Sequence, residues 1–155
     1  MARSHLLRRL TAPVDLTRDH FIGNPDAEIT LVEYGSYSCK YCHAAHEVIA
    51  NLRDRFGDRM RYVFKQLPIK GSEFARPAAE LAEFSAETGN SFWQVHDELM
   101  HRGPDFAEGE LDEVAAKFGL RPDDPEFAEA RARASARVDE HRQSARESGA
   151  RVTPS

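Results

Sequence analysis

Two cysteines stand three positions apart in a chain that has no others, as Cys39-Lys40-Tyr41-Cys42. A bridge between them would close almost no loop, so the pair cannot act as a staple that restricts the unfolded chain. Its spacing suits thiol–disulfide exchange instead. Cys39 would attack as a thiolate, and Cys42, one helical turn on, would resolve the mixed disulfide. Lys40 would add a nearby cation that favours the thiolate. Two other chemistries use the same letters. Cys39, Cys42 and His43 spell the C-x-x-C-H string of c-type haem attachment, with Met60 or Met100 as distal-ligand candidates. Cys39, Cys42, His43 and His46 recur at helical spacing and could offer zinc four ligands, but one helix cannot easily wrap a tetrahedral ion. The exchange reading is preferred. It needs neither cofactor nor metal, and leaves His43 as a polar neighbour of the site and His46 as an exposed helix residue.

The elements around the pair favour that reading. Ile29-Thr30-Leu31-Val32-Glu33-Tyr34 is a short β-rich run, expected as a buried strand that ends at Gly35. After it, Cys42, Ala45, Ile49, Leu52 and Phe56 recur at steps of three and four, on one side of a helix, with Gly57 where a C-terminal cap is expected. Met60–Phe64 is a second strand. Strand, helix and strand within this length predict a βαβ unit with parallel strands. Cys39 then falls at a helix N-terminus, where free N–H groups and the helix dipole favour an anion. Glu33 lies six positions before Cys39. It is either a buried carboxylate that moves the proton of Cys42 or a strand residue facing solvent, and Lys65 is a possible but weak partner.

Residues 74–149 read as a helical block. Leu81 and Phe84 mark its first helix, and Phe92, Val95, His96 and Leu99 its second. Leu111, Val114, Ala115 and Phe118 mark the third, closed by Gly119. Asp124 as N-cap and Pro125 at the first position open the fourth. Residues 1–22 are expected as leader or linker, with the folded domain at 23–155.

The 155 residues suffice for one domain with a real core, and 41% of them are hydrophobic. A net charge of -5 excludes the broad basic excess of a nucleic-acid binder. The late arginines, from Arg131 to Arg151, are interspersed with acids and read as a solvated face. No apolar run has the length of a signal peptide or a membrane span, so the expectation is a cytoplasmic chain without membrane contact.

Leu31–Ser38 before the pair resembles the first core strand of DsbA-like proteins. Tyr62–Pro68 and Ser91–Asp97 are similar to further segments of that family, and Ser148–Pro154 to the one that holds its cis-proline. The likeness runs from about Asp19 to the last residue. It is strongest to members that stand alone or as tails on sodium/proton antiporters. It implies an α/β thioredoxin-like fold of the DsbA type, with the helical block as an insertion. It implies Cys39 as nucleophile, Cys42 as resolving thiol, Glu33 as buried acid, and Thr153 and Pro154 as the substrate-binding segment, while Lys40 and His43 are expected from their positions beside the thiols as groups that tune them. Protein or peptide thiols would be the partners. In the family two strands and a helix follow the proline, whereas one residue follows here. The expectation is therefore a sheet whose first strand keeps an open edge, able to pair with another chain. A redox-inactive interaction module is the alternative that this departure raises. Lys40-Tyr41 differs from the Pro-His of strongly oxidising members, which leaves the redox direction open.

Overall fold

A computed structural model of the chain describes residues 9–89 and 91–155. Its elements are β1 (Phe21–Gly23), β2 (Ile29–Gly35), α1 (Lys40–Phe56), β3 (Met60–Gln66), α2 (Ala75–Gly89), α3 (Phe92–Arg102), α4 (Glu110–Lys117) and α5 (Ala128–Glu147). The expected βαβ unit is β2–α1–β3. The strands run parallel, with Leu31 opposite Tyr62 and Glu33 opposite Phe64. Gly57 follows α1 with a φ of 51° and gives its N–H to the Arg53 carbonyl, which ends the helix as the sequence suggested.

Among the described residues the sheet has three strands rather than two, in the order β1-β3-β2. β1 pairs antiparallel with β3, and Ile22 faces Tyr62. For its described part, 9–22, this corrects the expectation that residues 1–22 are leader or linker. Asp19 is buried, Phe21 accepts a hydrogen bond from Trp93 Nε1 at 3.0 Å, and the Thr11 N–H reaches Ser148 Oγ at 3.1 Å. A three-residue strand has no alternation to read, and its polar neighbours look solvated until their partners are known. The part of the leader before residue 9 lies outside the described residues.

Side-chain alternation gives β3 two different faces. Tyr62 and Phe64 enter the main core with Cys42 and Ile49 of α1, Phe92, Val95 and Leu99 of α3, and Val114 of α4. The other face turns to α5, where the Gln66 N–H donates to His141 Nδ1 at 2.9 Å. α5 buries Ala130, Ala134, Val138, His141 and Ala145, at steps of three and four along one face. It is tied to α2 through Arg76, which meets Asp139 at 2.8 Å and Ser135 Oγ at 3.0 Å. The four helices α2–α5 fall where the sequence put them. Asp124 accepts from the Glu126 N–H at 3.0 Å, as an N-cap, but the turn that it caps is a 3-10 turn, Pro125–Phe127, which leads into α5. β2 is the sheet's outer strand, and at its end Tyr34 and Ser155 exchange both backbone hydrogen bonds, at 2.8 and 3.1 Å.

Candidate active site

The site forms where β2 hands over to α1. Gly35 ends the strand at a close approach, since a Cβ there would lie 2.6 Å from the Phe64 ring and 3.0 Å from Glu33 Oε1. Cys39 is the N-cap of α1 in extended conformation, and its carbonyl accepts the N–H groups of Cys42 and His43 at 3.0 and 3.2 Å. Both cysteines are free thiols. Cys42 is fully buried, while Cys39 keeps 7% of its surface at the mouth of the site. The peptide bond between Thr153 and Pro154 is cis, and the Thr153 carbonyl lies 3.5 Å from Cys39 Sγ.

The two thiols are tuned in opposite directions. Burial would raise the Cys39 thiol. Hydrogen bonds from the Thr153 side chain, from the Cys42 and Tyr41 backbone and from the Cys42 thiol outweigh it and hold Cys39 below its ordinary value. Burial pushes Cys42 up to about 12, with help from the charges of Cys39 and Glu33 and against a 3.4 Å hydrogen bond from the Ser36 N–H. One sulfur is therefore shifted toward the anion and its neighbour toward the neutral thiol.

Glu33 is 5% exposed, which answers the question that its sequence position left open. Burial raises its carboxyl, opposed by the hydrogen bond from Tyr62 OH to Oε2. Oε1 is buried without a hydrogen-bond partner. Lys65 does not pair with it. Lys65 stands opposite Tyr34, on the other face of the sheet, and binds Asp19 at 3.2 Å.

Lys40 and His43 stand at the site but are not among the main groups that lower Cys39. The Lys40 ammonium lies over the Tyr41 ring, 5.1 Å from its centroid. His43 is pinned between two carbonyls, Met100 O at 2.8 Å from Nδ1 and Tyr37 O at 2.6 Å from Nε2. With both ring nitrogens engaged and Cys42 sealed in the core, the haem arrangement does not fit. The four-ligand zinc arrangement does not form either, because His46 points away from the sulfurs, toward Asp97 and His96.

A family model described as Thioredoxin matches residues 15–155. The chain belongs to the thioredoxin family. It is 45% identical over 146 residues to a Na(+)/H(+) antiporter NhaA of Nitrosospira multiformis, a match that takes in 94% of this chain and 23% of that protein. The chain thus spans less than a quarter of that relative's length. Among solved structures it is similar to the thiol-disulfide exchange protein alpha-DsbA2 of Wolbachia pipientis, with a TM-score of 0.75 and 22% identity over 90% of this chain and 75% of that one. It is also similar to a thioredoxin-like oxidoreductase of Silicibacter pomeroyi, with a TM-score of 0.69 and 27% identity over 88% and 77%. The fold is thus thioredoxin-like with DsbA-type neighbours.

Sequence reasoning missed three residues of this thioredoxin-family site. Tyr62 holds Glu33. Ser36 supplies the N–H to Cys42 and accepts the Ile69 N–H on its own Oγ at 3.3 Å. Tyr37, wholly buried, reaches His96 Nδ1 at 2.9 Å. Tyr62 was within reach, because parallel alternation puts it on the face that carries Glu33.

Proposed function

We propose that this chain is a thiol–disulfide exchange domain acting on protein or peptide thiols through Cys39 and Cys42. The observation that carries this is the placement of two free thiols at the start of one helix, Cys39 at the mouth beside Thr153 and Cys42 buried behind it. The Cys39 thiolate attacks a substrate disulfide, forms a mixed disulfide and expels the first substrate sulfur as a thiolate, which takes a proton from water. Cys42 then passes its proton to Glu33 and attacks the Cys39 sulfur, releasing the second substrate sulfur. The substrate gains two electrons and the Cys39–Cys42 pair becomes a disulfide. The same steps in reverse oxidise a dithiol substrate.

Thr153 and Pro154 offer backbone to an extended substrate beside Cys39. A groove of about 400 Å³ continues from Thr153 past Lys70, Arg142, Arg146 and Arg151. In a chain of net charge -5 this local basic lining favours substrates with acidic residues near the reacting cysteine. The ion exchange named for the antiporter relative is not carried over. Among the described residues no helix is long and apolar enough to cross a membrane. We read the chain as a redox domain of the kind that spans part of such proteins.

Turnover of insulin by the wild type and by Cys39→Ser tests the reading. Loss of activity in the variant supports it, and equal rates remove it.

A further inference from the structure

The cluster that His46 joins lies away from the sulfurs, in a cavity of about 160 Å³ between α1 and α3, beside Ile22 and Trp93. His46, His96 and Asp97 each turn one ligand atom toward the others, all within 4.8 Å of one another. Ligand atoms about 2.0–2.1 Å from a tetrahedral ion stand roughly 3.3 Å apart, so no pair among the three needs to close by more than about 1.5 Å. The space allows it. His46 Nε2 and Asp97 Oδ1 are 3.7 Å apart, too far to satisfy each other by a hydrogen bond, and both side chains are partly exposed.

The second observation is the state of His96. The residue is 1% exposed, and its Nε2 is buried with no hydrogen-bond partner, while its Nδ1 meets Tyr37 OH at 2.9 Å. A ring held through one nitrogen with the other left bare is how a metal-binding histidine is oriented from behind. Trp93 and Phe64 pack edge-on to the same ring and fix its plane.

We propose that His46, His96 and Asp97 bind one divalent transition-metal ion of the zinc class, joining α1 to α3. Two imidazoles and a carboxylate suit zinc and its neighbours rather than calcium or magnesium. His101, whose ring centroid is 6.1 Å from that of His46, or a water completes the set. Arg53 lines the same cavity and opposes a cation there, and the Asp97 carboxylate answers it. The site does not depend on the dithiol and stands or falls separately from the exchange reading.

The test uses the full chain, stripped with a chelator and oxidised so that neither thiol can bind metal. Calorimetric titration with zinc is expected to show one equivalent bound. Cobalt is expected to give the visible bands of a four-coordinate nitrogen and oxygen site, without the near-ultraviolet sulfur charge-transfer band. His46→Ala and Asp97→Asn should each weaken zinc at least tenfold, while Cys39→Ser/Cys42→Ser leaves it unchanged. Arg53→Gln should tighten it. An oxidised wild type that takes up no zinc overturns the proposal, as does a folded His46→Ala that binds as tightly as the wild type.

Discussion

The two faces of the sheet both bury charge, and they treat it in opposite ways. On the face toward α5, Lys65 and Arg137 share the Asp19 carboxylate at 3.2 and 3.0 Å, and the second Asp19 oxygen accepts the Asp15 N–H at 2.9 Å. Every member there has a partner. On the face toward α1, Glu33 has Tyr62 OH on one oxygen and nothing on the other, and no cation is bonded to it among the described residues. Buried charge that is paired ties elements together, and removing one member leaves its partner stranded. A buried acid with an open oxygen beside a thiol that has been pushed up is placed to exchange a proton. The first arrangement ties elements together, and the second leaves an acid open for the proton transfer proposed above, on opposite faces of one sheet.

The largest expected effect sets the chemical face apart. Cys39→Ser should cut disulfide exchange by roughly a thousandfold or more, as loss of a nucleophile does, with no change in the circular dichroism spectrum. Cys42→Ser should keep the attack and accumulate a mixed disulfide visible by mass spectrometry. On the structural face, Asp19→Ala strands Lys65 and Arg137. It should lower the urea unfolding free energy by about 3–5 kcal/mol while leaving the exchange rate of the folded fraction as it was. Wild-type stability in that variant would remove the contrast.

How far this contrast can be read from the sequence depends on range. The βαβ unit, the helix under the cysteines and the four later helices are written in local periodicity, and Gly57 and Asp124 cap as their types suggest. What escaped was set by contacts across the chain. β1 is three residues long and gains its meaning from Val63, forty-two positions away in register with Phe21. In the sequence Lys65 is only a weak partner for Glu33, because its actual partner, Asp19, lies in a stretch that reads as linker. His46 looked exposed because nothing local reveals His96 and Asp97 opposite it. The place of the sulfurs at the start of a helix was legible in local spacing, whereas the group that lowers Cys39 most, the Thr153 side chain, stands 114 residues on.

Glu33→Gln sharpens the comparison at the next size of effect. Release of substrate from the mixed disulfide should slow by about a hundredfold in single-turnover measurements, and the first attack should hardly change. Its stability should move the other way from that of Asp19→Ala. The folded state raises the Glu33 carboxyl, so the wild type is penalised wherever that group is ionised and not where both states hold the proton. The variant should therefore melt higher than the wild type at neutral pH. The gain should fade as the pH falls through the raised value of the folded carboxyl and be gone below the ordinary glutamate value of 4.5. A lower melting temperature at neutral pH would place Glu33 with the structural charges.

The smallest effect concerns how the site separates its two sulfurs. Iodoacetamide modification followed against pH should give a midpoint for Cys39 below the ordinary 9.0, whereas Cys42, at about 12, should stay unmodified through pH 8. Thr153→Ala removes the hydroxyl that donates to the Cys39 sulfur, and leaves the carbonyl that can serve only the protonated thiol. Loss of a donor to an anion makes the anion harder to form, so the midpoint should rise. Lys40→Gln should move it less, because the Lys40 ammonium is drawn over the Tyr41 ring rather than held on the sulfur. If Lys40→Gln shifts the midpoint further than Thr153→Ala, the thiolate is held by the local cation and not by the distant segment that the fold brings to it.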